Sequence, residues 1–197
     1  MDNDVKRIAV IIGSVRPGNY TSKAAALAEQ ELKSAAGILV ARFDPTPLHL
    51  PLPGAGDADS ALLEARQKVS SADAVMFATP EYHGSFSSVT KLIIDNLDFP
   101  SALKGKPVAL LGVAAGRIGA VKALEHLRSV CSHVGALVLP GSVSVPNVQA
   151  VFDRDGNCLD SGIERRIRNL SRELVDYVRR QAAPRECSEE MARGTTP

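Results

Sequence analysis

Short apolar runs alternate along this chain with longer segments in which apolar residues recur at helical spacing. Such alternation is typical of strand-helix-strand units that build a parallel sheet with helices on both faces. The apolar runs predict five strands, at residues 7–12, 38–43, 74–78, 107–113 and 136–139. We therefore expect an α/β protein, a three-layer sandwich whose parallel strands follow the order 2-1-3-4-5.

Helical patterns separate these runs, the first two at residues 21–34 and 60–70. The third and fourth helices carry apolar stripes that we expect to face the core. These stripes consist of Val89, Leu92, Ile93 and Leu97, and of Ile118, Val121, Leu124, Leu127 and Cys131. The last helix has the most regular stripe, at Ile163, Ile167, Leu170, Leu174 and Val178. Arginines surround that stripe, and a solvated face or a surface for an anionic partner explains them.

The length and composition favour one domain. A chain of 197 residues with 45% hydrophobic content can bury one substantial core, which we assign to residues 1–182. The remaining segment, 183–197, is polar and is expected to be a disordered tail. Residues 44–59 form a long connection rich in proline and glycine, which suits a mobile flap.

The charge and the cysteine content indicate which classes of binding partner and which cellular compartment to expect. The formal net charge of +1 gives no electrostatic reason to expect nucleic acid or an anionic membrane as partner. The three cysteines are odd in number and far apart, which argues against a disulfide framework and against a cysteine-based metal site. The N-terminus lacks the pattern of a signal peptide or a membrane span. We expect a cytoplasmic protein.

The segment 13–21 carries the strongest candidate chemistry, because it lies between the first strand and the first helix. A helix N-terminus offers unpaired backbone N–H groups and a partial positive charge, to which Arg16 adds a full one. Gly13 and Gly18 have the spacing of a nucleotide triphosphate loop, but Asn19 and Tyr20 stand where lysine and Ser/Thr belong. The loop therefore suits the phosphate of a mononucleotide, and an ordinary capped turn is the alternative.

Two further loops follow the third and fourth predicted strands, at residues 79–86 and 114–120. In the predicted strand order these strands are neighbours of the first, so all three loops meet where such folds bind ligands. Each loop on its own is explained equally well by a tight turn or by a glycine turn before a helix. No Ser-His-Asp or Cys-His arrangement of a nucleophile is recognisable, so we assign no catalytic side chain.

In these loops the chain resembles the NADPH-dependent FMN reductases of flavodoxin-like fold, which include chromate, quinone and azo-dye reductases. The resemblance runs from about residue 5 to residue 180. It rests on three motifs in order, which are Gly13-Ser-x-Arg16, Thr79-Pro-Glu-Tyr-x-Gly-Ser85 with Lys91, and Leu103-Lys-Gly-Lys-Pro-Val-Ala109 leading into Gly116-Arg-x-Gly119.

The resemblance implies a set of cofactor-binding residues. The FMN phosphate would be surrounded by Ser14, Arg16, Asn19, Tyr20 and Thr21. The isoalloxazine ring would be lined by Pro80, Glu81, Tyr82, His83 and Gly84, largely through backbone N–H groups. Ala115, Gly116 and Arg117 would border the ring from the third loop.

The chain departs from the family pattern at several of these positions. Asn19 replaces the usual serine, Thr21 the usual asparagine, and His83 an amide. A common Pro-Gly pair is Ser87-Ser88, and a serine frequent in the third loop is missing from residues 113–115. These changes bear on the affinity for flavin and on the choice of acceptor, more than on the fold.

The resemblance implies an enzyme that passes a hydride from NADPH or NADH to bound FMN and then to a small acceptor. Quinones, azo compounds, metal oxyanions and free flavin all remain open as acceptors. A flavodoxin-like electron carrier and a flavin-dependent sensor or partner-binding module are the alternatives. The family also implies a homodimer or homotetramer, with the third helix and residues 44–59 as candidate contacts.

Overall fold

The computed structural model describes residues 5–53, 55 and 58–182. The predicted tail, 183–197, lies outside the described residues, as do residues 1–4. The strands are β1 (Lys6–Ile12), β2 (Ile38–Phe43), β3 (Ala74–Tyr82), β4 (Ser85–Phe86), β5 (Pro107–Val113), β6 (Leu137–Val138) and β7 (Val143–Val145). The helices are α1 (Tyr20–Ser34), α2 (Ser60–Ser70), α3 (Ser88–Asp95), α4 (Val121–His133), α5 (Val148–Val151) and α6 (Ser161–Ala182).

The main sheet has the order β2-β1-β3-β5-β6, with every pair along this path parallel. This confirms the predicted α/β architecture and the order 2-1-3-4-5, in which β5 is the fourth predicted strand. The sheet has seven strands, however, where five were expected. The two additional strands have different causes.

The predicted fifth strand, 136–139, corresponds to β6, and the chain returns to the sheet after it as β7, which was not predicted; both pair with β5. Pro140 and Gly141, the latter with a φ of 77°, separate β6 from β7, because proline cannot donate to a strand ladder and a left-handed residue cannot continue one. Arg128 on α4 donates hydrogen bonds to the carbonyl oxygens of Val138 and Leu139, at 3.3 and 2.9 Å. The break is therefore held in place from the helix beside it.

The other additional strand is β4, which pairs antiparallel with the end of β3. The prediction ended the third strand at Ala78, but β3 continues to Tyr82. A residue before proline is pushed toward extended conformations, so Thr79-Pro80 prolongs the strand. Pro80 stands opposite Val113 of β5 in the parallel register.

Alternate residues of β1 supply the two halves of the core, as the strand pleat requires. Ile8, Val10 and Ile12 belong to the half covered by α1 and α6. Ala9 and Ile11 belong to the half covered by α2, α3 and α4. The α6 stripe is confirmed, since all five of its predicted apolar residues are buried.

The α4 stripe was wrong at its beginning. Ile118 is 83% exposed and precedes the helix, and Val121, where the helix starts, is 46% exposed. Gly119 has a φ of 78° and places Ile118 in a separate turn. On α3, by contrast, Ile93 and the following Leu97 are buried as predicted.

The arginines of α6 do more than face solvent. Arg168 and Arg172 donate hydrogen bonds to the carboxylate of Glu31 on α1, at 3.1 and 2.6 Å. Arg179 donates to the carbonyl oxygen of Ala36, just after α1, at 2.7 Å. These side chains therefore fasten the two helices on this face of the sheet to each other.

Candidate functional site

The first loop leaves β1 through Gly13, which is packed tightly against the next strand. Its N–H donates to the carbonyl oxygen of Ala78 at 2.7 Å. A Cβ at this position would collide with the hydroxyl of Thr90 and stand 3.0 Å from the carbonyl oxygen of Ala78. Ser14 follows and is buried, and its Oγ accepts the N–H of Arg16 at 3.4 Å. Only glycine fits where the loop begins.

Helix α1 starts at the other end of this loop with a side-chain cap. The Oδ1 of Asn19 accepts the N–H of Ser22 at 2.7 Å, and its Nδ2 donates to the carbonyl oxygen of Arg16 at 2.7 Å. No acceptor among the described residues takes the N–H of Tyr20 or Thr21. These free donors, at the positive end of a helix without acidic residues in its first turn, form an anion-binding element.

Arg16 connects this loop to Tyr82, the last residue of β3. Its guanidinium carbon lies 4.8 Å from the centre of the Tyr82 ring, within the range of a cation–π contact. Within the described part of the chain it forms no ion pair with a carboxylate. Its positive charge is therefore held near the cleft by an aromatic ring and is not neutralised there.

The second loop is a tight hairpin and not an open loop. His83 and Gly84 connect β3 to β4 with φ values of 51° and 79°, as in a two-residue turn in which both residues are left-handed. The N–H of Gly84 donates to Oε1 of Glu81 at 2.5 Å. The Oγ of Ser85 stands 3.1 Å from Nδ1 of His126 on α4. The hairpin is thus fixed both within itself and against α4.

The third loop is fixed by the strand and helix that follow it. The N–H of Ala114 donates to the carbonyl oxygen of Val145 at 2.9 Å. The carbonyl oxygen of Ala114 accepts the N–H of Val148 at 3.0 Å. The carbonyl oxygen of Gly116 accepts two N–H groups, from Gly119 at 3.1 Å and from Asn147 at 3.2 Å. Backbone hydrogen bonds therefore determine the shape of this loop.

Three buried hydroxyl groups lie behind the first two loops and join them. The Oγ of Ser87 donates to the carbonyl oxygen of Gly13 at 2.6 Å and lies 2.9 Å from Oγ1 of Thr90. Oγ1 of Thr90 in turn donates to Oγ1 of Thr79 at 3.0 Å. Sequence reasoning noted Ser87 only as a departure from a Pro-Gly pair and missed this cluster.

The three loops meet around one cleft of about 460 Å³ at the carboxyl ends of β1, β3 and β5. Among the predicted site residues the cleft is lined by Ser14, Arg16, Asn19, Tyr20, Thr21, Pro80, Glu81, Tyr82 and Ala115. Gly84, Gly116 and Arg117 line a second cleft, which shares Glu81 with the first. His83, exposed at the hairpin turn, lines neither.

Sequence reasoning missed several residues that line the first cleft, namely Pro17, Gly18, Val113, Ala114 and Val148. Four of them lie within or beside the recognised loops, so their neighbours were the available signal. Val148 belongs to the four-residue helix α5. Nothing in the local sequence around Val148 indicates that the chain returns to the cleft there.

A parallel sheet of this order, with a ligand-sized cleft where the strand order reverses, defines a flavodoxin-like nucleotide-binding fold. The solved structure of FerB, a flavoenzyme NAD(P)H:(acceptor) oxidoreductase from Paracoccus denitrificans, matches it with a TM-score of 0.73 at 24% identity. That match covers 89% of this chain and 98% of FerB, and it supports the same fold.

The chain belongs to the NADPH-dependent FMN reductase family, whose model matches residues 6–150. It is 35% identical over 184 residues to an NAD(P)H-dependent FMN reductase of Pseudomonas aeruginosa, covering 91% of this chain and 98% of that one. It is 26% identical over 178 residues to an FMN-dependent NADPH-azoreductase of Staphylococcus aureus, covering 86% and 93%. The protein is an oxidoreductase of this FMN- and NAD(P)H-dependent class.

Across the part of the chain that the structure describes, no helix is long and apolar enough to span a membrane.

Proposed function

We propose that the first cleft binds FMN, with the phosphate at the start of α1 and the flavin ring between the second and third loops. The observation that carries the proposal is the meeting of residues 14–21, 80–82 and 113–115 around one cavity of about 460 Å³. That volume lies within the usual range for small-molecule and cofactor sites. The residues present therefore fit the cofactor of the family.

At the phosphate end, Arg16 and the free N–H groups of Tyr20 and Thr21 supply positive charge and hydrogen-bond donors. Asn19 acts indirectly here, because its side chain is engaged by Ser22 and by the backbone of Arg16. Its role is to hold the first turn of α1 and the loop in the conformation that presents the free donors.

At the ring end the lining is largely apolar, with Pro80 and Tyr82 from one loop and residues 113–115 from the other. A flat ring suits such walls. The N–H of Gly84 is engaged by Glu81, and His83 is exposed at the turn and lines neither cleft, so contact with the ring falls to the residues before them. We therefore place the ring against residues 80–82 and 113–115, with Gly116 and Arg117 at its outer border.

The chemistry that FMN supplies when bound is hydride uptake from NAD(P)H and return of two electrons to an acceptor. The chain would orient the ring between residues 80–82 and 113–115 and would leave one of its faces open to a flat partner. Quinones and azo compounds suit such a face, and the azoreductase relative favours acceptors of this kind. Metal oxyanions and free flavin are further candidate acceptors.

We also propose a cytoplasmic homodimer or homotetramer. The side chain of Phe99 is 100% exposed just after α3, and Leu52 is 66% exposed in the long connection. Nδ2 of Asn96 donates to the carbonyl oxygen of Pro51 at 3.0 Å and so joins these two segments. A partner subunit would cover the apolar side chains, and Phe99→Asp should then shift the mass measured by light scattering toward the monomer.

The reaction is tested by loading the purified protein with FMN, adding NADPH without oxygen, and following the flavin absorbance. The proposal predicts bleaching within a turnover and recovery of the colour when a quinone is added. Uptake of FMN without bleaching by NADPH or NADH would instead favour an electron carrier or a flavin-dependent sensor or partner-binding module. Failure to take up FMN would contradict the proposed function altogether.

A further inference from the structure

The second cleft, about 540 Å³ in volume, lies directly beside the proposed flavin site. It is lined by Glu81, Gly84, Gly116, Arg117, Ile118, Gly119 and Lys122, and it shares Glu81 with the first cleft. We infer that Arg117 and Lys122 make this cleft a selector for an oxyanion group on the ligand that stands over the flavin. The inference rests on the proposed function and adds a substrate preference to it.

The two cations of this cleft are not neutralised by neighbours. Neither Arg117 nor Lys122 forms an ion pair with a carboxylate anywhere in the ranges 5–53, 55 and 58–182. The carboxylate of Glu81 is the one acid in the lining, and the N–H of Gly84 holds its Oε1 at 2.5 Å within the hairpin. The formal charge of the lining is therefore positive, with two cations against one acid.

The position of Lys122 is unfavourable for the helix that carries it. Lys122 lies in the first turn of α4, where the helix dipole is positive, and that turn has neither a side-chain cap nor an acidic residue. A cation there costs stability, and such local violations are expected where a side chain serves a function. An oxyanion in the cleft would offset both the lysine charge and the helix dipole.

The rest of the cleft suits a flat ligand that carries such a group. Ile118 is 83% exposed and offers an apolar surface beside Arg117. The backbone of this loop is fixed by the hydrogen bonds to Gly116, and the N–H of Ala120 donates to Oγ of Ser144 at 2.8 Å. Arg117 is thus carried by a hydrogen-bonded loop and Lys122 by the helix that follows it, and both line the cleft beside the proposed ring site.

Two sources can supply the oxyanion, namely a phosphate of the nicotinamide nucleotide and an acidic group on the acceptor. Matched ligands separate them. For the acceptor we compare 1,4-naphthoquinone-2-sulfonate with 1,4-naphthoquinone, and for the nucleotide we compare nicotinamide mononucleotide with nicotinamide riboside, which lacks the phosphate. Binding to the FMN-loaded protein is measured by titration calorimetry at low salt, together with the KM of the two quinones under turnover.

The test variant is Arg117→Gln combined with Lys122→Gln, and the control is Arg165→Gln, an exposed arginine on α6 away from both clefts. Both side chains of the test variant are exposed, so the fold should be retained. For at least one pair we expect the affinity of the oxyanion-bearing member relative to its oxyanion-free partner to fall about fivefold, and the effect to shrink in high salt. The control variant should leave both ratios as they are in the wild type.

The pair that responds identifies the source of the oxyanion. An equal loss of affinity for the oxyanion-bearing and the oxyanion-free member of each pair would show that the cleft contributes packing and would overturn the inference. Unchanged binding of every ligand would overturn it as well. In both cases normal uptake of FMN would leave the proposed function intact, whereas a protein that takes up no FMN would contradict both.

Discussion

The hydroxyl of Ser87 donates a hydrogen bond of 2.6 Å to the carbonyl oxygen of Gly13, a residue 74 positions earlier in the chain. The same hydroxyl accepts the N–H of Thr90 at 3.0 Å and so caps α3. One buried side chain therefore fixes the start of the proposed phosphate loop and the start of α3. Helix α3 lies on the other face of the sheet from α1, to which that loop leads.

Replacing Ser87 with alanine should destabilise the protein by about 2–3 kcal/mol, because it removes a helix cap and leaves a buried carbonyl oxygen without its partner. Urea unfolding measures the change. Ser88→Ala is the matched control, since Ser88 is the exposed first residue of the same helix and should change the free energy of unfolding by less than about 0.5 kcal/mol. Equal effects of the two substitutions would contradict the assigned contact.

Gly13→Ala should cost about 1–3 kcal/mol or more of stability, since the new methyl group would overlap the hydroxyl of Thr90 and press on β3. The control is Gly116→Ala, where a Cβ meets no atom within 4 Å. Thermal unfolding of both variants tests the difference. A Gly13→Ala protein as stable as the wild type would show that the loop does not leave β1 in this way.

The two cysteines within the described residues should differ in reactivity. Burial raises the pKa of the Cys131 thiol to about 12, and the smaller effect of Arg128 opposes the shift. Cys158 is half-buried, and its pKa is raised chiefly by burial as well. In a Cys187→Ser background at pH 8, mass spectrometry should find slow alkylation of Cys158 and none of Cys131 until the protein is unfolded. Rapid alkylation of Cys131 in the native protein would show that α4 does not bury it.

Glu31 provides a test of pH dependence. Burial works to raise its pKa, but hydrogen bonds from Arg172 and Arg168 outweigh that effect and lower the pKa below its ordinary value. Its stabilising contribution is therefore complete above the ordinary glutamate pKa and is lost as the pH falls through the lowered value. We expect Glu31→Gln to cost about 0.5–1 kcal/mol at pH 7.

The cost of Glu31→Gln should shrink as the pH falls toward 3, which urea unfolding across that range would measure. The control is Glu125→Gln, at an exposed position of α4. We expect this substitution to leave the free energy of unfolding unchanged. A cost for Glu31→Gln that stays constant down to pH 3 would rule out a charge interaction.

The apolar pattern was sufficient to predict the layers and the strand order of the main sheet. Runs such as 8–12 and 107–113 are buried on both faces, so their continuous hydrophobicity reflects the packing directly. The errors arose where backbone conformation decides the structure. The φ of 78° at Gly119 separates Ile118 from α4, and the turn at His83-Gly84 creates β4, yet both depend on contacts that a linear pattern does not contain.

The candidate site was predictable as three loops and not as individual contacts. The sequence places 13–21, 79–86 and 114–120 after neighbouring strands, and the strand order then brings them together. It does not indicate that the side chain of Asn19 caps α1, nor that Val148 lines the cleft. Such details depend on long-range packing and on which local hydrogen bond each side chain adopts.

The central claim is that the loop at the start of α1 binds the phosphate of FMN. Its most direct test compares the affinity of the protein for FMN and for riboflavin, which lacks the phosphate, by titration of flavin fluorescence. The account predicts at least about tenfold tighter binding of FMN, and a loss of most of that preference in Arg16→Ala but not in Arg165→Gln. Equal affinity of the wild-type protein for FMN and riboflavin would contradict it.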